Sequence, residues 1–190
     1  MILIIDNYDS FTQNLAQYCG THKFKIKIIR NDEINIEEIK YMQPTHIIIS
    51  PGPGHPIDAN CSINIINHYA NTIPILGVCL GHQCIGYLYG AKIQQLHTPM
   101  HGKISKIKHN NNDIFYKLPN PFNAARYHSL TINNQYLPKN LEITAWTNEG
   151  DIMACRHKKY KMLRGIQFHP ESIWTEEGKK IITNFLYNNK

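Results

Sequence analysis

Pro74-Ile-Leu-Gly-Val-Cys-Leu-Gly-His-Gln83 passes from one kind of local structure to another within ten residues. Pro74 to Val78 has the makeup of a strand buried on both faces, as in a parallel sheet. Leu80 to Tyr89 continues at helical spacing and stops at Gly90. Between them, Gly77 and Gly81 stand two residues either side of Cys79, the pattern of a tight strand–turn–helix elbow. Side chains at the flanking positions would not fit such a turn, so glycine is expected there for steric reasons. Cys79 would be pushed out above the sheet with a strained backbone, at a helix N-terminus whose dipole favours a thiolate. The plain alternative is a buried cysteine beside chance glycines; the strand-to-helix setting favours the elbow.

Working outward, Ile2 to Ile5 and His46 to Ile49 are further short apolar runs, and Ile26, Ile28 and Ile29 suggest one more strand. Phe11 to Tyr18 and Ala59 to Tyr69 read as helices between them. Strands alternating with helices imply right-handed crossovers and a parallel sheet covered on both sides. The second half changes character. Lys103 to Lys108 alternates polar with apolar, as a half-exposed antiparallel strand does, and Leu141 to Trp146, Ile152 to Cys155 and Leu163 to Phe168 are short strands between turns. Thr175 is placed to cap a last helix with Ile181, Ile182, Phe185 and Leu186 on its apolar face. With no repeat and no linker, the expectation is one mixed α/β domain over residues 1–190, a central mostly parallel sheet flanked by helices plus a small antiparallel sheet.

Composition narrows the class. A chain of 190 residues with 42% apolar and 18% charged residues can bury a sizeable core. Its longest apolar runs fall far short of the ~18 residues that span a bilayer. Met1 leads directly into a strand-like run with no basic segment, so no signal peptide is expected. The five cysteines are scattered and odd in number, which suits a reducing, cytoplasmic compartment. The net charge of +6 is spread along the chain without an RNA-binding or zinc-finger pattern, so neither nucleic acid nor membrane is an expected partner. Ile, Asn and Lys abound while Val78 is the sole valine, a bias that suits an AT-rich plastid or reduced bacterial genome. A plastid stroma is the corresponding location if the gene is organellar.

A thiolate nucleophile needs a base. His169-Pro-Glu171 follows the last apolar run, and residues two apart in an extended segment share a face. The carboxylate of Glu171 could then orient the His169 imidazole while the imidazole takes the Cys79 proton. A covalent intermediate at a carbonyl also needs donors for its oxyanion. Ser50-Pro-Gly-Pro-Gly54 closes a parallel strand at the sheet edge where ligands bind, so the Gly52 N–H and the Leu80 N–H are the expected donors. A metal reading of Cys79, His82 and Cys84 matches no paired zinc spacing and leaves the elbow glycines unexplained. No phosphate-binding glycine loop of the GxGxxG or GxxxxGK[ST] type occurs.

Together Asp6-Asn-Tyr-Asp-Ser-Phe-Thr12, Ser50-Pro-Gly-Pro-Gly54, Gly77-Val-Cys-Leu-Gly-His-Gln83, Met100-His-Gly-Lys103, Arg126-Tyr-His-Ser-Leu130 and Gln167-Phe-His-Pro-Glu-Ser172 resemble the class I (triad) glutamine amidotransferases. More narrowly they resemble the small glutaminase subunits of anthranilate synthase and 4-amino-4-deoxychorismate synthase. The resemblance runs from Met1 to about Leu186 and implies a flavodoxin-like fold. It implies that Cys79, His169 and Glu171 form a triad that hydrolyses L-glutamine to glutamate and ammonia through a thioester. By the matching motifs, Gly52, Pro53, Gly54, Gln83, Ser129 and Leu130 would hold glutamine. No cofactor is implied for this chain; magnesium is expected on its partner, a large chorismate-binding synthase chain that receives the ammonia. Tryptophan and folate (p-aminobenzoate) biosynthesis are both open as the pathway. A GMP synthetase glutaminase subunit is a competing enzyme reading, which the Asp6 to Thr12 and Ser50 to Gly54 segments speak against. A non-catalytic binding module would need a broken triad. One departure stands out: relatives commonly carry glycine where this chain has Asn60 after Asp58-Ala59, and Asn tolerates a left-handed turn.

Overall fold

In the computed structural model, which describes residues 1–96 and 98–188, the apolar runs become adjacent parallel strands. These are β1 (Ile2–Asp6), β2 (Ile26–Arg30), β3 (His46–Ile49) and β4 (Ile75–Val78), in the order β2-β1-β3-β4. Successive residues of one strand feed opposite layers. Ile2, Ile4, Ile48, Leu76 and Val78 pack with the helices α1 (Thr12–Gly20) and α5 (Gly178–Tyr187). Leu3, Ile5, Ile47, Ile49 and Ile75 pack with α2 (Ile36–Met42), α3 (Asn60–Tyr69) and α4 (Leu80–Leu88). Two covered faces are the reason these runs are continuously apolar instead of alternating.

The sheet does not end at β4. The late strand β11 (Leu163–Ile166) inserts beside it, parallel, with Ile166 opposite Val78. From there the sheet turns antiparallel through β10 (Ile152–His157), β9 (Leu141–Trp146), β6 (Lys103–His109) and β7 (Phe122–Arg126), making nine strands in all. A separate two-stranded antiparallel sheet joins β5 (Ile93–Gln95) to β8 (Leu130–Ile132). The expected α/β class and its small antiparallel sheet are what the structure has. Charge is buried where the sheet turns antiparallel: Arg164 on β11, 2% exposed, pairs through Nε with the Asp113 carboxylate at 2.7 Å. Among the described residues no helix is long and apolar enough to cross a membrane.

Several local expectations need correction. Helix α2 was not foreseen; it buries only Ile39, but Asn35 caps it, exchanging hydrogen bonds with Glu38 at 2.9 and 3.0 Å. Strands β5, β7 and β8 were also missed. Thr175 does not cap the last helix, which starts at Gly178 after Glu177. Its hydroxyl instead donates to the His169 carbonyl at 2.6 Å and accepts from the Ala125 N–H at 3.1 Å. Asn60 takes no left-handed conformation: it is the first residue of α3, a position that asks nothing special of it.

Candidate active site

Cys79 occupies the turn between β4 and α4 with φ 51° and ψ −99°, a conformation that costs an ordinary residue of order 1–3 kcal/mol. The surroundings hold it there. Its N–H donates to the Ile166 carbonyl at 2.8 Å, and its own carbonyl accepts the Gln83 N–H at 3.0 Å. The two glycines of the elbow are demanded sterically: a Cβ on Gly77 would lie 2.5 Å from the Gly81 carbonyl, and one on Gly81 would lie 2.5 Å from that of Ile49.

Past the end of β11, His169 Nδ1 lies 2.6 Å from Glu171 Oε1, with both side chains nearly inaccessible to solvent. The His169 N–H donates to the Ala125 carbonyl at 3.0 Å, and the rings of Tyr127 and Phe11 stand edge-on to the imidazole at 5.2 and 6.0 Å. Burial would lower the basicity of His169, but the neighbouring Cys79 and Glu171 outweigh it and bring the pKa to about 10. The imidazole is therefore held as a cation at neutral pH. Its Nε2 makes no aligned hydrogen bond among the described residues.

Cys79 opens into a small cleft of about 170 Å³ whose walls are Gly52, Pro53, Gly54, Gln83, Tyr127, His128, Ser129 and Leu130. The structure thus gathers Cys79 and the six residues implied for glutamine around one space, with His169 and Glu171 behind the sulphur. Leu80 is the first residue of α4, so its N–H is free of the helix ladder. The Gly52 loop is anchored through Asn7, whose N–H donates to Ser50 Oγ at 2.8 Å and whose Nδ2 donates to the Ser50 carbonyl at 3.0 Å. The Asn7 Oδ1 accepts from Ser62 Oγ at 2.8 Å and Asn31 Nδ2 at 2.9 Å, so four segments converge there. A Cβ on Gly52 would strike this same Asn7 at 2.5 Å.

Sequence reasoning did not single out Asn7, Tyr127 or His128, although all three lie within the motifs that carry the resemblance. What could have flagged His128 is its neighbour Arg126, a charged residue that is 1% exposed. Arg126 Nε donates to His128 Nε2 at 3.1 Å, which leaves His128 Nδ1 to donate to the Leu130 carbonyl at 2.8 Å. Cys79, His82 and Cys84 do not converge: His82 Nδ1 turns to Cys155 Sγ at 3.5 Å, and Cys84 packs within the layer of α3 and α4.

The chain matches the family model described as "Glutamine amidotransferase class-I" over residues 3–189. It is 60% identical to the anthranilate synthase component 2 of Pyropia yezoensis over 98% of both chains. Its identity to the protein of that name in Pseudomonas aeruginosa is 47%, over 98% of this chain and 94% of the relative. Among solved structures, a Thermoplasma acidophilum protein described as part of a GMP synthase superposes with a TM-score of 0.84 at 25% identity. That superposition covers 97% of this chain and 91% of the other. The elbow cysteine, the histidine–glutamate pair behind it and these matches lead to one conclusion: the chain belongs to the class I glutamine amidotransferase family.

Proposed function

We propose that this chain, as one glutamine amidotransferase domain over residues 1–190, is the glutaminase subunit of an anthranilate synthase. The observation that carries the chemistry is the cleft in which Cys79 meets the side chains of Gln83 and the 127–130 segment, with His169 and Glu171 paired behind it. Its volume lies below the ~300 Å³ at which pockets for drug-sized ligands begin, which suits a free amino acid. Gln83 commits its amide hydrogens to the Leu130 carbonyl and Gln167, leaving its oxygen for a donor such as an ammonium group.

In this reading the Cys79 thiolate attacks the glutamine side-chain carbonyl, and the oxyanion is received by the N–H groups of Gly52 and Leu80. The His169 imidazolium gives its proton to the departing ammonia as the thioester forms. The neutral ring then takes a proton from water, which attacks the thioester and releases glutamate and the thiolate. Glu171 keeps the ring oriented through both steps. The ammonia passes to a chorismate-binding synthase chain, which would hold the magnesium. Support for a docked partner comes from Ile173 and Trp174, 85% and 57% exposed, immediately beyond Glu171. The place of action is the cytoplasm, or the plastid stroma for an organellar gene.

The test is anthranilate fluorescence on mixing this protein with a large synthase chain of the same genome, chorismate, magnesium and glutamine. Glutamine-dependent product that vanishes in Cys79→Ala is the expected result. Glutamate released without anthranilate would move the acceptor to 4-amino-4-deoxychorismate synthesis, and silence in both assays would overturn the enzyme reading.

A further inference from the structure

Gln167 is wholly buried, on the side of β11 where Leu163 and Gly165 face α4. A carboxamide in such a layer needs partners for both its ends. The register supplies the first reason it is there. Ile166 pairs with Val78 across the parallel strands, so the next residue of each chain, Gln167 and Cys79, come side by side. The Gln167 backbone N–H is tied to the Met153 carbonyl at 2.8 Å, which fixes its position against β10.

The orientation of the carboxamide follows from a backbone group that cannot be turned round. The Leu130 carbonyl only accepts, so Gln83 must present its NH2 to it, at 2.9 Å. The same nitrogen lies 3.1 Å from Gln167 Oε1, which accepts from it. Gln167 Nε2 is then left facing Cys79 Sγ at 3.6 Å. Further back, the Leu130 carbonyl also accepts from His128, and Arg126, which donates to His128, is held by Asp151 at 2.7 Å. Donors thus converge on the Leu130 carbonyl from His128 and Gln83, and from Gln83 onward the donation runs through Gln167 to the sulphur.

We infer that Gln167 is a further catalytic residue: its Nε2–H donates to the Cys79 sulphur and stabilises the thiolate. A hydrogen bond to a charged acceptor is worth more than one to a neutral acceptor, so the donor favours the thiolate over the thiol. The same preference helps expel the thiolate when the thioester is hydrolysed. No bond to Gln167 is made or broken. The inference rests on the reading of Cys79 as the nucleophile, but its test needs neither glutamine nor a partner chain.

The competing role, a mere brace for Gln83, is separated by Gln167→Glu. That variant still accepts from Gln83 but turns an oxygen toward the sulphur. Alkylation of the full chain by iodoacetamide, followed residue by residue by mass spectrometry, reads Cys79 directly. The half-buried Cys61 serves as internal reference, because burial pushes the thiols of Cys19, Cys84 and Cys155 up to about 12. In Gln167→Glu, Cys79 labelling at pH 7 is expected to fall about tenfold, and at least threefold, with its pH profile moved to higher pH and Cys61 unchanged. A smaller change overturns the inference. Gln167→Met, which removes the donor without adding charge, is measured beside it and must pass the same threshold, and it stands alone should the glutamate variant fail to fold by circular dichroism. Unchanged alkylation beside a working glutaminase would sink the role of Gln167 alone, whereas slowed alkylation in a protein without glutaminase activity would sink the function and leave the hydrogen bond standing.

Discussion

The two halves of the main sheet are held by different physics, and the candidate site lies on the seam between them. On the parallel side, β1, β3 and β4 are buried almost entirely as aliphatic side chains divided between two helical layers. On the antiparallel side the interior takes in Arg126, Arg164, His109 and His157, each matched with polar partners. Apolar burial supplies stability without direction; hydrogen-bonded burial supplies less but fixes where each atom points. Cys79, the Gly52 loop and Gln83 come from the first half, and the 127–130 segment, Gln167 and His169 come from the second. Strength and aim are thus drawn from separate regions.

Breaking the seam itself has the largest effect. Cys79→Ala is expected to lower glutamine hydrolysis at least roughly 10,000-fold. Its melting temperature should fall only slightly, since a single sulphur atom at the cleft is removed; a large drop in thermal stability would mean that the cysteine is structural.

Next comes the charge buried in the antiparallel half. Asp113 has φ 56°, which Asn also tolerates, so Asp113→Asn tests the carboxylate without straining the backbone. Removing the Asp113 carboxylate from beside the buried Arg164 guanidinium should cost about 3 kcal/mol in urea unfolding. A cost no greater than that of an exposed pair would show that polar burial is not what holds this half.

Acid sharpens the same contrast. Burial first, then the charge of His128, pushes His82 down to about 3; burial and then Arg126 push His128 down to about 4. Both are neutral when folded but take up protons near pH 6.5 when unfolded. Their stabilising contribution is complete above about pH 6.5 and is lost as the pH falls toward those folded values, about 4 kcal/mol for the pair by pH 5. Urea midpoints at pH 7 and 5 measure it, and His82 and His128 imidazole signals that remain neutral at pH 5 would assign it. Equal midpoints would contradict the shifts.

The smallest effect belongs to the rim of the parallel half. Asn35→Ala removes the α2 cap and should cost about 1 kcal/mol, with glutaminase activity unchanged. Lost activity there would mean that the edge of the sheet communicates with the site.

The contrast also explains what was legible in the residues. Ile2 to Ile5, His46 to Ile49 and the glycines around Cys79 carry their environment in local pattern, because continuous apolar runs and steric gaps have few other readings. Strands β5, β7 and β8 do not: Gln94, Asn123 and Arg126 break any periodicity, and their partners lie far along the chain. Thr175 reads locally as a helix cap, yet its hydroxyl is engaged by Ala125 and His169, a contact no local window contains. Gln167 lies in a family motif, but its significance depends on the pairing of residues 166 and 78.

The insertion of β11 between β4 and β10 has a consequence for biosynthesis. Until residues 163–166 have left the ribosome, β4 has no partner on one side, and the elbow cysteine lacks both its backbone anchor at Ile166 and the His169–Glu171 pair that follows it. A nascent or truncated chain would carry an open strand edge, which invites pairing with other chains. It would also carry the elbow thiol without the two side chains proposed to act with it. The order of synthesis thus acts as a quality check: the elbow and the His169–Glu171 pair are brought together only once β11 has been made.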